Sequence, residues 1–373
     1  MYLQYASIPL NDLRRHGNTV ITDLREAVES VITSGQYILG SWVERFESDF
    51  AAYCGVQHAV GVANGTDALE LALRAAGCKA GDEIVTVANA GGYATNAILH
   101  TGALPVYADI DPHTFLMTAH TFLQAITPVT KAVIVTHLYG LMADMPALCQ
   151  AAANHGITII EDCAQAHGAS IAGKKAGSWG MFGCFSFYPT KNLGTLGDAG
   201  CIVTNDDTLA ERLRSLRQYG WKHKYYLPEE IGRNSRMDEL QAAVLVRLLT
   251  HLDEWNRKRR QIIHHYRTAL NHDGIRFQRI DTDDHFVAHL CVTRVRERTR
   301  LMQFLRQEKI ASDIHYPIAD YAQPAVIRHI GEKASLPATE QILPELLTIP
   351  CFPEMTKEET EHVITVIKRH LSS

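Results

Sequence analysis

The chain has 373 residues, of which 46% are hydrophobic and 21% charged, a composition typical of globular proteins with a sizeable core. Its 36 basic and 41 acidic residues are interspersed, and the net charge of −5 argues against a surface for nucleic acid or an anionic membrane. No apolar run approaches the length of a bilayer span, and the first residues lack the pattern of a signal peptide. We therefore expect a soluble, cytoplasmic protein.

Short apolar runs alternate with helical periodicities over the first two thirds of the chain. The patterns predict helices at 18–35, 41–53, 66–77, 93–101, 118–126, 144–154 and 207–217, and strands at 58–64, 83–88, 104–109, 132–137, 157–162, 183–188 and 200–204. Strand–helix alternation with nearly continuous apolar strands indicates an α/β domain, in which helices cover both faces of a parallel sheet.

The pattern changes after a long helical stretch over 237–270. A mixed segment follows, with strands near 275–279 and 287–294 and helices near 297–308 and 356–371. We place a domain boundary near residue 245, which gives a large α/β domain at 1–245 and a smaller α+β domain at 246–373.

The eight cysteines never form a C-x-x-C pair and mostly lie in apolar stretches. This placement indicates reduced, buried thiols. The nineteen histidines show no metal-ligand spacing, so we expect no metal site.

One glycine-containing segment has the features of an anion site. Gly65 and Thr66 follow a predicted strand and open a predicted helix, where free backbone amides and a hydroxyl can bind a phosphate. A plain N-cap explains the segment equally well. The G-x-x-G-x-x-G run at 194–200 precedes a strand and is poor evidence for a dinucleotide site, and the P-loop pattern is missing.

Two further strands end in chemically active side chains. The strand at 157–162 ends in Glu161 and Asp162, at the edge where α/β sheets bind ligands, although an acid there can also cap the next helix. The next strand carries Ser186 and is followed by Lys191, whose amine becomes nucleophilic if burial lowers its pKa. Taken alone, Lys191 would be read as an exposed loop charge.

Together, the anion site, the strand-end aspartate and the lysine match the needs of pyridoxal phosphate. The phosphate would bind the helix N-terminus, Asp162 would hold the pyridine nitrogen protonated, and Lys191 would bind the cofactor covalently.

The sequence resembles the sugar-nucleotide aminotransferases of the DegT/StrS type, which have the aspartate aminotransferase fold (type I of the pyridoxal-phosphate enzymes). The resemblance covers essentially the whole chain. It is carried by the segments 35–40 (GQYILG), 62–69 (VANGTDAL), 161–168 (EDCAQAHG), 186–194 (SFYPTKNLG) and 232–238 (GRNSRMD). It implies a large domain with a mostly parallel seven-stranded sheet and a smaller C-terminal α+β domain.

The resemblance also implies roles for individual residues. Lys191 and Asp162 are the expected catalytic residues. Lys191 is the expected covalent anchor and proton carrier, Asp162 the partner of the ring nitrogen, and Gln165 a donor to the ring hydroxyl. The phosphate ligands implied are Gly65, Thr66 and Ser186, together with Asn234 from the neighbouring subunit, so the family implies a homodimer with shared active sites.

Three positions depart from or extend this pattern. Many family members have a Thr–aromatic pair after the strand that ends near 88, whereas this chain reads NAGGYAT at 89–95. Tyr93 is our candidate for stacking on the pyridine ring. His167 either lies near the cofactor or satisfies a backbone carbonyl, and Cys163 is expected to serve packing.

The resemblance is strongest to the branch that aminates dTDP-3-keto-6-deoxyhexoses with L-glutamate as the amino donor. The segments 89–93, 219–226 and 315–321 carry this likeness, and the implied substrate-binding residues are Tyr219, Lys222, His223, His315 and Tyr316. By analogy, the products would enter O-antigen (lipopolysaccharide) or other amino-sugar biosynthesis.

Two rival functions stay open, and two others are disfavoured. The first is a 4-keto aminotransferase on a dTDP-, UDP- or GDP-linked 6-deoxyhexose. The second is a non-catalytic regulatory paralogue that binds pyridoxal phosphate. A nicotinamide dehydrogenase is disfavoured by the missing dinucleotide fingerprint, and a related dehydratase by the presence of Lys191, where that branch has histidine.

Overall fold

A computed structural model describes residues 8–228, 230–270, 274–331 and 335–372. The strands are β1 (His58–Val62), β2 (Glu83–Val87), β3 (Leu104–Ala108), β4 (Thr130–Thr136), β5 (Thr158–Asp162), β6 (Ser170–Ile171), β7 (Lys174–Lys175), β8 (Phe182–Ser186), β9 (Gly200–Thr204), β10 (Arg276–Phe277), β11 (Cys291–Arg294) and β12 (Leu346–Ile349). The helices are α1 (Leu13–Thr19), α2 (Ile21–Ser34), α3 (Ser41–Cys54), α4 (Gly65–Ala75), α5 (Tyr93–His100), α6 (Ala119–Ala125), α7 (Met145–Asn154), α8 (Asp207–Leu216), α9 (Glu239–Leu248), α10 (Leu252–Ala269), α11 (Arg298–Gln307), α12 (Pro324–Ile330), α13 (Pro337–Ile342) and α14 (Lys357–Leu371).

The described residues form a seven-stranded sheet in the order β1-β9-β8-β5-β4-β2-β3. Every strand is parallel to the others except β9, which pairs antiparallel with both β1 and β8. The segment between β8 and β9 contains no helix, and a parallel return usually requires a helical crossover. The predicted α/β class with a mostly parallel seven-stranded sheet is confirmed.

Successive side chains of the central strands pack alternately into two separate apolar cores, one on each face of the sheet. In β4, Val133 and Val135 pack into one apolar cluster, whereas Ala132 and Ile134 pack into the other. The second cluster includes α4 and α5, and the first includes α3, α7 and α9. Helices therefore cover both faces of the sheet, and only the strand ends stay open to a ligand.

The C-terminal part of the chain builds a second sheet in the order β10-β11-β12, which is antiparallel. Helix α14 packs against α10 and α11 beside it. The predicted boundary at 245 falls within α9, and the division into 1–245 and 246–373 stays a prediction.

The sequence patterns missed some elements of this part. Strand β12 is a run of four buried residues close to Pro344 and Pro350, so its pattern was too short to show as a strand. The long helix expected over 237–270 is divided into α9 and α10 by a tight turn at Leu249–His251. Helices α1, α12 and α13 and the small β6–β7 hairpin were also missed.

All eight cysteines are free thiols, and all but the partly exposed Cys149 are buried, as predicted. Within the described part of the chain, no helix is long and apolar enough to cross a membrane.

Candidate active site

A cavity of about 790 Å³ lies at the carboxyl edge of the large sheet. Thr136, Asp162 and Ser186, the last residues of β4, β5 and β8, all line it. Most of the predicted site residues meet here: Gly65, Thr66, Tyr93, Asp162, Gln165, Ser186, Lys191, His315 and Tyr316. Parallel strands bring their carboxyl ends to one edge, which explains why residues so far apart in sequence share one cavity.

The N-terminus of α4 and the end of β8 form one wall of the cavity. The Asn64 side chain caps α4 by accepting a hydrogen bond from the Asp67 amide at 2.8 Å. The amides of Gly65 and Thr66, in the first turn, have no acceptor within the helix. A Cβ built on Gly65 would lie 2.7 Å from the Cβ of Ser186, so glycine is required for this close approach. The amides of Gly65 and Thr66 therefore lie close to the hydroxyls of Thr66 and Ser186, and this set of donors fits a phosphate group.

Asp162 ends β5, the neighbour of β8 in the sheet, and is 7% exposed. Its carboxylate accepts two long hydrogen bonds, from the Ala164 amide at 3.2 Å and from the Thr136 hydroxyl at 3.4 Å. Among the described residues, no cation lies within 4 Å of it. Burial raises the pKa of Asp162, and these hydrogen bonds and the charge of Lys191 oppose the rise. A buried carboxylate that can still accept further hydrogen bonds fits a cationic ring nitrogen.

Gln165 has a fixed orientation in the same cavity. Its Oε1 accepts a hydrogen bond from the Tyr139 amide at 2.7 Å, so its Nε2 is the group that points to the Tyr316 hydroxyl, at 3.3 Å. The side chain therefore presents a donor to the cavity, as its predicted role requires.

Lys191 lies in the loop after β8, half-buried in the cavity. The Lys191 amide donates to the Tyr188 carbonyl at 2.8 Å, and a Cβ on Gly194 would lie 2.5 Å from the Pro189 carbonyl oxygen. The loop is therefore tightly closed. Burial lowers the pKa of Lys191 to about 8, against the opposing charge of Asp162. A substantial fraction of the amine is then neutral near physiological pH.

The paired acids Glu161 and Asp162 have different environments. Glu161 accepts hydrogen bonds from the His137 ring at 2.9 Å and from the amides of Gly177, Trp179 and Gly180 at 2.9, 2.7 and 2.8 Å. Each of the two carboxylate oxygens of Glu161 thus accepts two hydrogen bonds from the protein itself. Asp162 is therefore the acid that remains available to a ligand.

An aromatic pair covers one side of the cavity. Tyr93 opens α5 and is 50% exposed, and its ring meets Tyr316 edge-on at 6.2 Å between centroids. The Tyr316 ring lies against Gly91, where a Cβ would be 2.9 Å from it. Behind the pair, the buried Asp320 carboxylate accepts a hydrogen bond from the Thr95 hydroxyl at 2.7 Å. Burial raises the pKa of Asp320 to about 7.

Four predicted residues do not line this cavity within the chain. Tyr219, Lys222 and His223 lie on an exposed arm, in which the Lys222 amide donates to the Tyr226 carbonyl at 3.1 Å. Asn234 follows this arm and lines a second, more open cavity of about 370 Å³. The roles given to these four residues stay predictions.

His167 is fully buried between Phe185 and Phe187, with ring centroids 5.5 Å apart in each case. Burial lowers the pKa of His167 to about 3, so the ring is neutral. It packs behind the Lys191 loop and does not line the cavity as Gln165 does.

Sequence reasoning missed a group of polar residues behind Lys191. Asn192 and His289 are buried and joined by a hydrogen bond, and His289 lines the cavity. Asn192 lies next to Lys191 in the segment 186–194 that carries the resemblance, but no role is assigned to it. His289, which lies almost a hundred residues further on, belongs to none of the segments that carry the resemblance.

Residues 19–368 match the model of the DegT/DnrJ/EryC1/StrS aminotransferase family. The chain belongs to this family. It is 42% identical over 363 residues to dTDP-3-amino-3,6-dideoxy-alpha-D-galactopyranose transaminase of Aneurinibacillus thermoaerophilus, covering 97% of this chain and 99% of the relative. The predicted family and enzyme class are thereby confirmed.

Two solved structures extend the comparison to the fold and the cofactor. The crystal structure of S. venezuelae DesV in complex with a ketimine intermediate is 39% identical, with a TM-score of 0.95 over 98% of this chain and 99% of DesV. NtdA of Bacillus subtilis, solved with its cofactor PMP, is 30% identical, with a TM-score of 0.90 over 95% of this chain and 83% of NtdA. This aminotransferase therefore uses pyridoxal phosphate, which the cavity fits.

Proposed function

We propose that this aminotransferase transfers an amino group from L-glutamate to C3 of a dTDP-linked 3-keto-6-deoxyhexose. The observation that carries the proposal is the cavity that joins Lys191, Asp162 and the α4 N-terminus, in a chain similar to a named dTDP-3-amino-sugar transaminase. Such products would enter O-antigen or other amino-sugar synthesis.

Pyridoxal phosphate, when bound, carries the amino group and withdraws electrons from the carbon that exchanges a proton. The amides of Gly65 and Thr66 and the hydroxyls of Thr66 and Ser186 would bind its phosphate, because they lie together at the start of α4 and the end of β8. Asp162 pairs with the protonated ring nitrogen and Gln165 donates to the ring hydroxyl through its Nε2.

Lys191 has two roles in this proposal. Its amine anchors the cofactor between turnovers, and it then takes up and returns the proton of the reacting carbon. A pKa of about 8 suits both roles, since the neutral and protonated forms are both populated near neutral pH.

We also propose a homodimer in which Asn234 completes the phosphate site of the neighbouring subunit. Within its own chain, Arg233 pairs with the buried Glu70 and with Asp67 at 3.3 Å, both on α4, so the segment that carries Asn234 is anchored beside this helix. In this proposal, α4 binds the phosphate in its own subunit and also holds Asn234, which reaches the phosphate site of the other subunit.

Mixed dimers test the shared site. Lys191→Ala and Asn234→Asp chains should each be inactive alone, whereas a mixed dimer contains one intact site and should recover up to half of the specific activity. No recovery in mixed dimers would mean that Asn234 acts within its own chain.

Tyr219, Lys222, His223, His315 and Tyr316 are the proposed substrate contacts, with the first three reaching across the dimer. To test the keto position, L-glutamate first converts the bound cofactor to its amino form. Either dTDP-3-keto- or dTDP-4-keto-6-deoxyhexose is then added. We expect the visible absorption band of the cofactor to return with the 3-keto sugar at a rate at least about 100-fold higher. The reverse preference would establish the 4-keto alternative.

A further inference from the structure

The side chain that follows Lys191 ties the lysine loop to the C-terminal part of the chain. Asn192 Nδ2 donates to Asn256 Oδ1 at 2.7 Å and to the Val287 carbonyl at 2.8 Å. Its Oδ1 lies 2.9 Å from His289 Nδ1. All three side chains are buried, with 2%, 2% and 6% of their surfaces exposed for Asn192, Asn256 and His289.

These contacts determine where the proton of His289 lies. Asn192 Nδ2 has two acceptors, so the amide orientation is fixed and Oδ1 must accept from His289. His289 is therefore the tautomer with the proton on Nδ1. Burial keeps this ring neutral by lowering the pKa of His289 far below its ordinary value. His289 and Lys191 both line the cavity.

The ionisable groups around Lys191 leave few ways to hold its amine in place. Asp162 is the anion that acts on it, without an ion pair. His167, His289 and His315 are all neutral at pH 7, because burial lowers the pKa of each. No charged group among the described residues therefore holds the amine directly, and the loop determines where the lysine side chain starts.

Arg259, a cation on the same cavity, is held elsewhere. Its Nη1 donates to the Cys351 carbonyl at 2.8 Å and to the His289 carbonyl at 3.4 Å. The second, longer contact joins α10 to the backbone of His289.

We propose that His289 is a positioning residue for Lys191, acting through its hydrogen bond to Asn192. The bond fixes the peptide that carries the lysine and keeps water out from behind the side chain. This inference rests on the proposed role of Lys191.

The test measures the amine directly in the full-length protein freed of cofactor. Acetic anhydride labels neutral amines, and mass spectrometry of the Lys191 peptide at a series of pH values gives the midpoint of its labelling. The exposed Lys357 serves as the internal reference. In the wild type we expect a midpoint near 8, well below the value of about 10.4 for a free lysine.

Two substitutions of His289 separate the hydrogen bond from packing. His289→Leu removes the donor, so the loosened loop admits water and the midpoint rises by about one unit or more, which lowers labelling at pH 7 about tenfold. His289→Asn places an amide donor near the position of Nδ1 and should keep the midpoint within about a third of a unit of wild type. Thr293→Val, which removes a buried 3.0 Å bond to the Leu347 carbonyl, is the matched control without a shift.

An unchanged midpoint in folded His289→Leu, or equal shifts in the Leu and Asn variants, would overturn the proposal. If His289→Leu does not fold, Asn192→Ala removes the same bond from its other side, together with the bonds to Asn256 and Val287, and must raise the midpoint at least as much. Borohydride reduction of the holoprotein, followed by peptide mapping, tests the role of Lys191 separately. Cofactor attached to Lys191 with no shift in the variants would refute only the positioning role.

Discussion

The contact between Gly65 and Ser186 gives a sharp prediction about cofactor binding. A Cβ at Gly65 would lie 2.7 Å from the Ser186 Cβ and 3.3 Å from its Cα, whereas carbons in contact are about 3.5–4.0 Å apart. In Gly65→Ala, the start of α4 and the end of β8 must therefore separate by about 1 Å. Overpacking of this size costs about 1–3 kcal/mol.

The same movement separates the two groups of donors that bind the phosphate. Hydrogen bonds to a charged group contribute about 1.5–3 kcal/mol each, so weakening one of them raises the dissociation constant of pyridoxal phosphate about 10–100-fold. Titration of the cofactor-free protein with pyridoxal phosphate, followed by absorbance, measures this constant.

Gly17→Ala is the matched control. Gly17 lies in α1 with an ordinary helical backbone, and a Cβ there would be 3.9 Å from its nearest neighbour, Leu24. We expect unchanged cofactor affinity and a melting temperature equal to or above wild type, because alanine favours the helix by about 0.5–1 kcal/mol. Folded Gly65→Ala with wild-type affinity would refute the assignment of this wall to the phosphate.

Three further predictions concern single side chains. Lys191→Ala should fold, hold the cofactor weakly and lose at least about 10³-fold in transamination rate, measured with L-glutamate. Asp162→Asn should lose about 10–100-fold in the same assay, because a neutral amide cannot pair with a protonated ring nitrogen, and wild-type turnover would contradict this role. For Asp320, the pKa of about 7 in the folded protein exceeds the value of about 3.9 in an unfolded chain, so its contribution to stability is lost as pH rises between them. The free energy of unfolding, measured with urea, should fall between pH 5 and pH 8 by about 2–3 kcal/mol more in the wild type than in Asp320→Asn. An equal fall in both proteins would refute the raised pKa.

Much of this site was predictable because its features are local in sequence. Each of the seven strands of the large sheet has its own apolar run, and Asp162 and Ser186 end such runs. Lys191 follows a strand in a segment that the family resemblance identifies. The rules of parallel sheets then place these strand ends at one edge.

The unpredicted features depend on contacts between distant segments. Glu161 is structural and Asp162 faces the ligand because backbone amides at 177–180 bind Glu161. Neither the sequence pattern nor the spacing shows which of the two acids these amides bind. His289 reaches Asn192, and Asp320 reaches Thr95, across 97 and 225 positions. Such pairings follow from how the packed elements meet and leave no periodic signal.

The account depends above all on a covalent bond between pyridoxal phosphate and Lys191. Borohydride reduction of the holoprotein, followed by digestion and mass spectrometry, tests this bond directly. We predict that the cofactor mass lies on the Lys191 peptide, and that treatment with L-glutamate before reduction removes it. Cofactor mass on another lysine, or none after reconstitution, would contradict the account.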